Sequence, residues 1–452
     1  MVFFSFEKKW EVMRLVYSSD PKFAEMKDLN FDEFPESSFE DWKKLVQKEL
    51  GEKSYDSLTW RNENGFDIQP YYTDSSHCYE ISKPAHWDFY QKITGPSSTL
   101  INKKSLESLM GGSNALAIGS KVDSKESLKN MLLDVELKYI AIHFTHPDNP
   151  AALIDWIIEW CKEKGLDTKT LRGSCCVSGM AVIDLMKKSK EYFSLFKVLS
   201  VDAVEVHQKG ALPVHELAVA LAKGNEFLHV GMEAGITVDD TSAMLQFNFV
   251  TGTSYFAEIA KYRAFRVLWR TIVEQYKPAF ACSTQCVIHA STSSFNQTTK
   301  DHYNNLLRAT TQCMSAIIGG ANSVEVIPSY EQDKSESDRS LRLSRNIQQL
   351  LIEESYLQQA GDVAAGSFYI EAMTNGLVDQ AWSLFQEIEK LGGISKAANW
   401  LDEQLAFTLE RRRNEIRTQQ KIVVGVNKYQ NKKEVLSAAP DSNSLTGGIE
   451  NE

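Results

Sequence analysis

Residues 200–224 read SVDAVEVHQKGALPVHELAVALAKG. Residues 201–206 have the apolar, β-branched character of a short buried strand. Gly210 supplies a turn, and Pro213 suits the first position of a helix, where its missing N–H leaves no bond unmade. Val214, Leu217, Ala218 and Leu221 then recur at helical spacing. The segment is a strand–turn–helix unit whose strand ends on a loop, the usual place for chemistry in a β/α barrel.

From about residue 100 the same alternation recurs on both sides of this unit. Strands are expected at 115–119, 138–144, 171–176, 198–206, 244–250, 280–289, 323–327 and 421–426, with amphipathic helical stretches between most of them. The fold class expected is α/β, a closed (β/α)8 TIM barrel with extra helices between its last two strands; an open doubly wound sheet is the competing topology. Phe256, Ile259, Ala260, Leu268 and Ile272 line one face of a helix that starts near Thr253. A second helix carries Leu377, Ala381, Leu384, Ile388 and Leu391, with Thr374 as its N-cap and Gly392-Gly393 as its stop.

Ahead of the barrel, residues 1–58 form an N-terminal arm. Phe39, Trp42, Leu45, Val46 and Leu50 mark one helix in it, closed by Gly51. The barrel domain spans 59–430. It opens with TWRNENGFDIQPYYT (59–73), a turn at Asn64-Gly65 followed by a short strand through Phe66 and Ile68. Residues 431–452 contain a run rich in Ser, Gly, Asn and Pro, and a disordered tail is expected there.

The chain has 452 residues, 43% hydrophobic and 24% charged, and a formal net charge of −11. That balance is globular and offers no basic footprint for sequence-independent nucleic-acid binding. The seven cysteines include no C-x-x-C pair, as expected of reduced cytoplasmic thiols. No apolar run approaches the roughly 20 residues that cross a bilayer, and charge appears too early for a secretory leader. His143 and His146 stand three apart without further ligands around them, so zinc is not expected. Neither G-x-G-x-x-G nor a G-K-[ST] phosphate loop occurs.

Set against known families, these segments resemble the methylmalonyl-CoA mutase barrel. Gly210, Ala211, Glu216, Leu217 and Ala218 match its fourth-strand motif S-G-Y-H-I-R-E-A-G-A-x-A-x-x-E-L-A. Thr59, Trp60, Gly65, Asp67, Pro70, Tyr72 and Thr73 match T-W-x-T-P-E-G-I-x-V-K-P-L-Y-T. Lys261, Arg263, Ala264, Leu268 and Trp269 match K-x-R-A-x-R-x-L-W. His289, Thr292, Thr298, Asn304 and Asn305 match H-T-Q-T-x-G-x-S-L-T-x-Q-x-P-x-N-N. Further matches run through Gly319-Gly320, Arg345, Asn346, Gln348, Glu353, Glu354 and Ser355 to Asp362, Gly366, Ser367, Tyr369 and Glu371. By this resemblance Tyr72, Thr73, His289 and Thr292 are candidate substrate contacts. The Ser and Thr residues of 283–299 are candidates to line a channel for a pantetheine chain.

The departures bear on chemistry. The family's active-site Tyr-His pair falls on Val204 and Glu205. Val204 offers no hydrogen bond, and Glu205, if ionised, can only accept. The family's substrate-contacting Gln is Ser291. Of the motif P-T-M-Y-x-x-R-P-W-T-I-R-Q-Y, only Trp87 and Gln91 remain, within PAHWDFYQKITG (84–95). No D-x-H-x-x-G motif of a C-terminal cobalamin-binding, flavodoxin-like domain follows the barrel. The near match E-x-H-x-x-G at 205–210 lies, by register, inside the barrel. The resemblance therefore implies no catalytic residue and no bound cofactor or metal in this chain. It implies a small subunit that docks on a large cobalamin-binding methylmalonyl-CoA mutase subunit, the adenosylcobalamin lying in that partner. The isomerase complex would interconvert succinyl-CoA and methylmalonyl-CoA, with this chain alone inactive. Two alternatives stay open: an acyl-CoA mutase barrel working with a separate cobalamin subunit, and a cofactor-free binder of CoA thioesters.

Overall fold

The computed structural model describes residues 38–73, 78–81, 84, 86–145, 147–175, 182–300, 303–329, 334–359, 361–431 and 444–446. His146, Cys176 and the arm ahead of Ser38 lie outside them. The chain divides into two compact units, Met1–Trp60 and Arg61–Glu452. In the first unit the helix Phe39–Leu50 forms as its spacing predicts. Ser38 closes a capping box with Asp41, and Gly51 ends the helix at φ +62°. None of its residues is buried, and Leu45 is 54% exposed.

The second unit is built on one parallel sheet of nine segments, two of which are a single strand interrupted at Val198. The eight strands are β1 Asp88–Ile93, β2 Ala115–Ile118, β3 Ala141–Phe144, β4 Arg172–Cys175, β5 Phe196–Lys197 with Leu199–Asp202, β6 Leu245–Thr251, β7 Val287–Thr292 and β8 Ser323–Glu325. The first part of β5 pairs with β4, Ser174 opposite Lys197, and its second part pairs with β6, Asp202 opposite Asn248. At the other side β8 pairs with β1, Ser323 opposite Asp88. The ring therefore closes, and the chain is a TIM-type barrel. No second parallel sheet occurs among the described residues, and no helix among them is long and apolar enough to cross a membrane.

Strand alternation sorts side chains into two separate sets. Leu116, Ile118, Ile142, Phe144, Phe247 and Ile288 face outward and join the helices in the main core. Tyr90, Ala115, Ala117 and Ala141 form their own cluster inside the ring. The lumen is otherwise polar, so the barrel's apolar packing lies almost wholly between strands and helices. The helix Tyr255–Gln275 is buried on nearly every side, with Lys261, Arg263 and Arg266 inside.

Several expected elements move. The eighth strand expected at 421–426 is instead a turn: Asn427 donates from Nδ2 to Ile416 O and Lys421 O, both at 2.8 Å, and accepts at Oδ1 from Val423 N. The missing member is β1, DFYQKI, which no expected strand covers; its lumen-facing residues are Asp88, Tyr90 and Lys92. The strand expected to reach Val206 ends at Asp202, whose carboxylate accepts from Val204 N at 2.6 Å and starts the short helix Val204–Gln208. The strand expected from 280 begins at Val287. Asp239 accepts from the backbone of Ala279 and Phe280 and from Ser283, holding Ala281–Thr284 as a 3₁₀ turn. Thr374 is not an N-cap: its hydroxyl donates to Ile370 O, and the helix already starts at Phe368. Within the tail expected to be disordered, residues 444–446 are buried.

Candidate functional site

The centre of the lumen is occupied by rings. Tyr90 on β1 lies 4.8 Å from the His143 ring on β3 and 4.2 Å from the His289 ring on β7, centroid to centroid. The three are 5%, 4% and 7% exposed. Ala115, Ala117 and Ala141 leave the space that the phenol fills. His143 Nδ1 lies 2.8 Å from Ser174 Oγ, and His289 Nδ1 lies 2.9 Å from Ser323 Oγ. Counted from the retained Trp87 and Gln91, the arginine of the motif W-T-I-R-Q falls on Tyr90. A cation has become an aromatic ring across the barrel axis.

Burial pushes both imidazoles down to about 3, and His215 down to about 4. These values lie below the ordinary histidine value near 6.5, so the unfolded chain binds protons that the folded protein excludes. Stability is then flat above about pH 7 and falls as pH drops from 6.5 toward 3, by up to about 1.4 kcal/mol per pH unit for each histidine. Burial also raises the carboxyls of Glu258, Asp88 and Glu389 above their ordinary values, which pulls the other way at lower pH. The urea midpoint is expected to decline between pH 7 and pH 5. An unchanged or higher midpoint at pH 5 would contradict this burial.

A second polar cluster lies beside the carboxyl ends of β5, β6 and β7. His207 Nδ1 donates to Glu216 Oε1 at 2.7 Å, and its Nε2 is 2.8 Å from Ser293 Oγ. Lys261 Nζ donates to Glu216 Oε2 at 3.0 Å and to Val250 O at 2.5 Å, and pairs with Glu258 Oε2 at 2.5 Å. Burial works to raise the Glu216 carboxyl, but Lys261 and His207 outweigh it and hold it below its ordinary value. Ser293, His207 and Glu216 have the connectivity of an acyl-transfer triad. The adjoining cavity, lined in part by Glu63, His207, Glu216, Glu258, Asn296 and Arg412, has a volume of about 10 Å³. That is room for about one water molecule. With both ring nitrogens engaged, His207 has no free lone pair for a metal.

The family-matched residues scatter. Of Tyr72, Thr73, His289 and Thr292, only His289 faces the lumen. Thr292 Oγ1 accepts from Ile327 N at 2.8 Å, fixing the loop after β8. Tyr72 accepts from Gln69 N and meets Tyr369 edge-on at 6.4 Å, and Thr73 is exposed. Val204 and Glu205 sit on the short helix after β5, where exposed Glu205 pairs with Lys209 at 3.0 Å. Tyr90, His143 and Ser174 were not singled out as lumen residues, although period-two polarity in DFYQKI was the available signal. Glu216 and Lys261 were visible as matches, but not as a pair.

A closed parallel β/α barrel with a polar, small-residue lumen and one buried charge cluster beside it defines the class. A profile described as Methylmalonyl-CoA mutase matches residues 177–445. The methylmalonyl-CoA mutase small subunit of Porphyromonas gingivalis is 32% identical over 91% of this chain and 73% of its own length. The small subunit of Streptomyces virginiae is 27% identical over 88% of this chain and 71% of its own. The methylmalonyl-CoA mutase of Rhizobium meliloti is 28% identical over 87% of this chain, which spans 64% of that protein. The chain belongs to the methylmalonyl-CoA mutase family.

Proposed function

We propose that this chain is a small, non-catalytic subunit of a methylmalonyl-CoA mutase, docking on and stabilising a large subunit that holds adenosylcobalamin. The observation that carries the reading is Tyr90, wedged between His143 and His289 where the catalytic motif has arginine. A thioester arm running along the axis would have to expel a buried phenol. At the mouth, Val204 and Glu205 replace the Tyr-His pair, and Glu205 turns to solvent. Positioning groups of this kind are worth orders of magnitude in rate when present. His207, the one imidazole in a near match to a cobalt-ligand motif, is committed to Glu216 and Ser293. On this reading the cofactor belongs to the partner, and the complex to the cytoplasm.

The N-terminal arm is the proposed contact. On its helix Phe39–Leu50, Leu45 is 54% exposed, apolar surface that a partner would cover. Co-expression with a cognate large subunit is expected to give a stable complex that isomerises succinyl-CoA. The purified chain supplied with adenosylcobalamin is expected to turn over no thioester and to give no heat with succinyl-CoA in calorimetry. Turnover by the chain alone would refute the reading. Tight thioester binding without turnover would favour a cofactor-free CoA binder instead.

A further inference from the structure

Three polar atoms on residues that line the small cavity beside β5, β6 and β7 are buried without a hydrogen-bond partner in the protein. They are Arg412 Nε, Asn296 Oδ1 and Glu258 Oε2. Each comes from a different element: the helix Ile394–Arg417, the loop after β7 and the helix Tyr255–Gln275. Arg412 spends Nη1 on the carbonyls of Gly210 and Ala211, at 2.9 and 3.1 Å. Among the described residues no carboxylate lies within 4 Å of its guanidinium. Glu63, Glu216 and Glu258 nevertheless act on that charge, so opposite charges face each other across a gap. Glu258 Oε2 touches Lys261 Nζ at 2.5 Å without the alignment of a hydrogen bond, which leaves it able to accept one. Gly252 keeps the space clear. A Cβ there would sit 2.8 Å from Glu258 Oε1 and 3.7 Å from Asn296 Oδ1, so the two side chains converge on the volume that glycine leaves.

We propose that this cavity is a hydration site, in which one buried water accepts from Arg412 Nε and donates to Asn296 Oδ1 and to the Glu258 carboxylate. The complement is matched: one N–H needs an acceptor, two oxygens need donors, and a water supplies both from one atom's volume. Ions fit worse. A metal cation would be set against Arg412 and the ammonium groups of Lys261 and Lys421, and a halide against three carboxylates. A bridging water is nearly as favourable as a direct hydrogen bond. It therefore ties the β7 loop to both helices, next to the His207–Glu216–Lys261 network. The inference stands independently of the subunit reading.

The test is a crystal structure of the full chain at a resolution that shows ordered waters, with parallel soaks in rubidium chloride and sodium bromide. Expected is a single-atom peak within hydrogen-bond distance of Arg412 Nε, Asn296 Oδ1 and Glu258, with no anomalous signal from rubidium or bromide. An absent peak, or an ion in its place, overturns the inference. Urea unfolding of Asn296→Ala supplies an independent readout. If Oδ1 holds the water, removing it breaks the bridge, and the folded-to-unfolded ratio is expected to fall about tenfold. If Oδ1 is buried with no partner, removing it relieves a desolvation cost. A ratio that stays level or rises therefore also overturns the inference.

Discussion

Lys261→Met is expected to destabilise the protein by roughly 3–5 kcal/mol at pH 7, enough to leave a marginal domain largely unfolded. The side chain of Lys261 is fully buried, between Glu216 Oε2 at 3.0 Å and Glu258 Oε2 at 2.5 Å. Burial opposes its charge, but the two carboxylates hold its pKa above the ordinary lysine value. Methionine matches the stem's volume and removes the charge together with the hydrogen bond to Val250 O. Two carboxylates are then left facing each other, with the Arg412 guanidinium as the remaining cation beside them. Their folded-state pKa values must rise above the unfolded values near 4.3, so the variant's stability is present at low pH and lost as pH rises. The difference from wild type in urea unfolding should accordingly shrink from pH 7 to pH 5. A loss below about 1 kcal/mol, or one that does not change with pH, would mean that the lysine does not hold the cluster together. Adding Glu216→Gln and Glu258→Gln to the variant should recover much of the loss, since burying neutral amides costs less than burying unpaired charge.

Gly173→Ala is expected to prevent folding or cost more than about 4 kcal/mol. Gly173 lies on β4 beside Ile142 on β3. Its φ is +136°, and a Cβ there would sit 1.7 Å from the Ile142 carbonyl oxygen. Backbone, not a flexible side chain, would have to move, and it belongs to a ring of strands in which each position fixes the next. Gly165→Ala is the control. Gly165 also has positive φ, +66°, as a helix C-cap, but nothing lies within 4 Å of its would-be Cβ. Its cost should be only the left-handed penalty, about 1–2 kcal/mol. Thermal unfolding of the two variants separates the readings: similar losses would show that the approach of β4 to β3 is looser than described.

Sequence pattern carried far in this chain because periodicity is a local property. The helix Phe39–Leu50 forms as its spacing predicts, and Gly392-Gly393, at φ +97° and +90°, lie just beyond the end of Phe368–Lys390, as the stop was read. Seven of the eight barrel strands overlap the runs expected for them. The count of eight came out right through two offsetting errors, β1 unread and 421–426 read as a strand. Both arise from one physical fact. A barrel with a polar lumen inverts the usual reading: charged and aromatic side chains of β1 point inward, while the apolar 421–426 is tied into a turn by Asn427.

What the chain's residue order determined by itself was the β/α alternation, the family, and the loss of the family's Tyr-His pair at Val204 and Glu205. Each depends on identities at fixed spacing, which a linear string contains. Tertiary structure alone decided that Tyr90 blocks the axis between two histidines and that Lys261 serves two glutamates. It also decided that residues 444–446 reach Phe295. These contacts join residues as much as 199 positions apart (His289 − Tyr90), and their energies depend on burial and on ångström-scale distances. Ring closure creates that burial, and no local pattern encodes it.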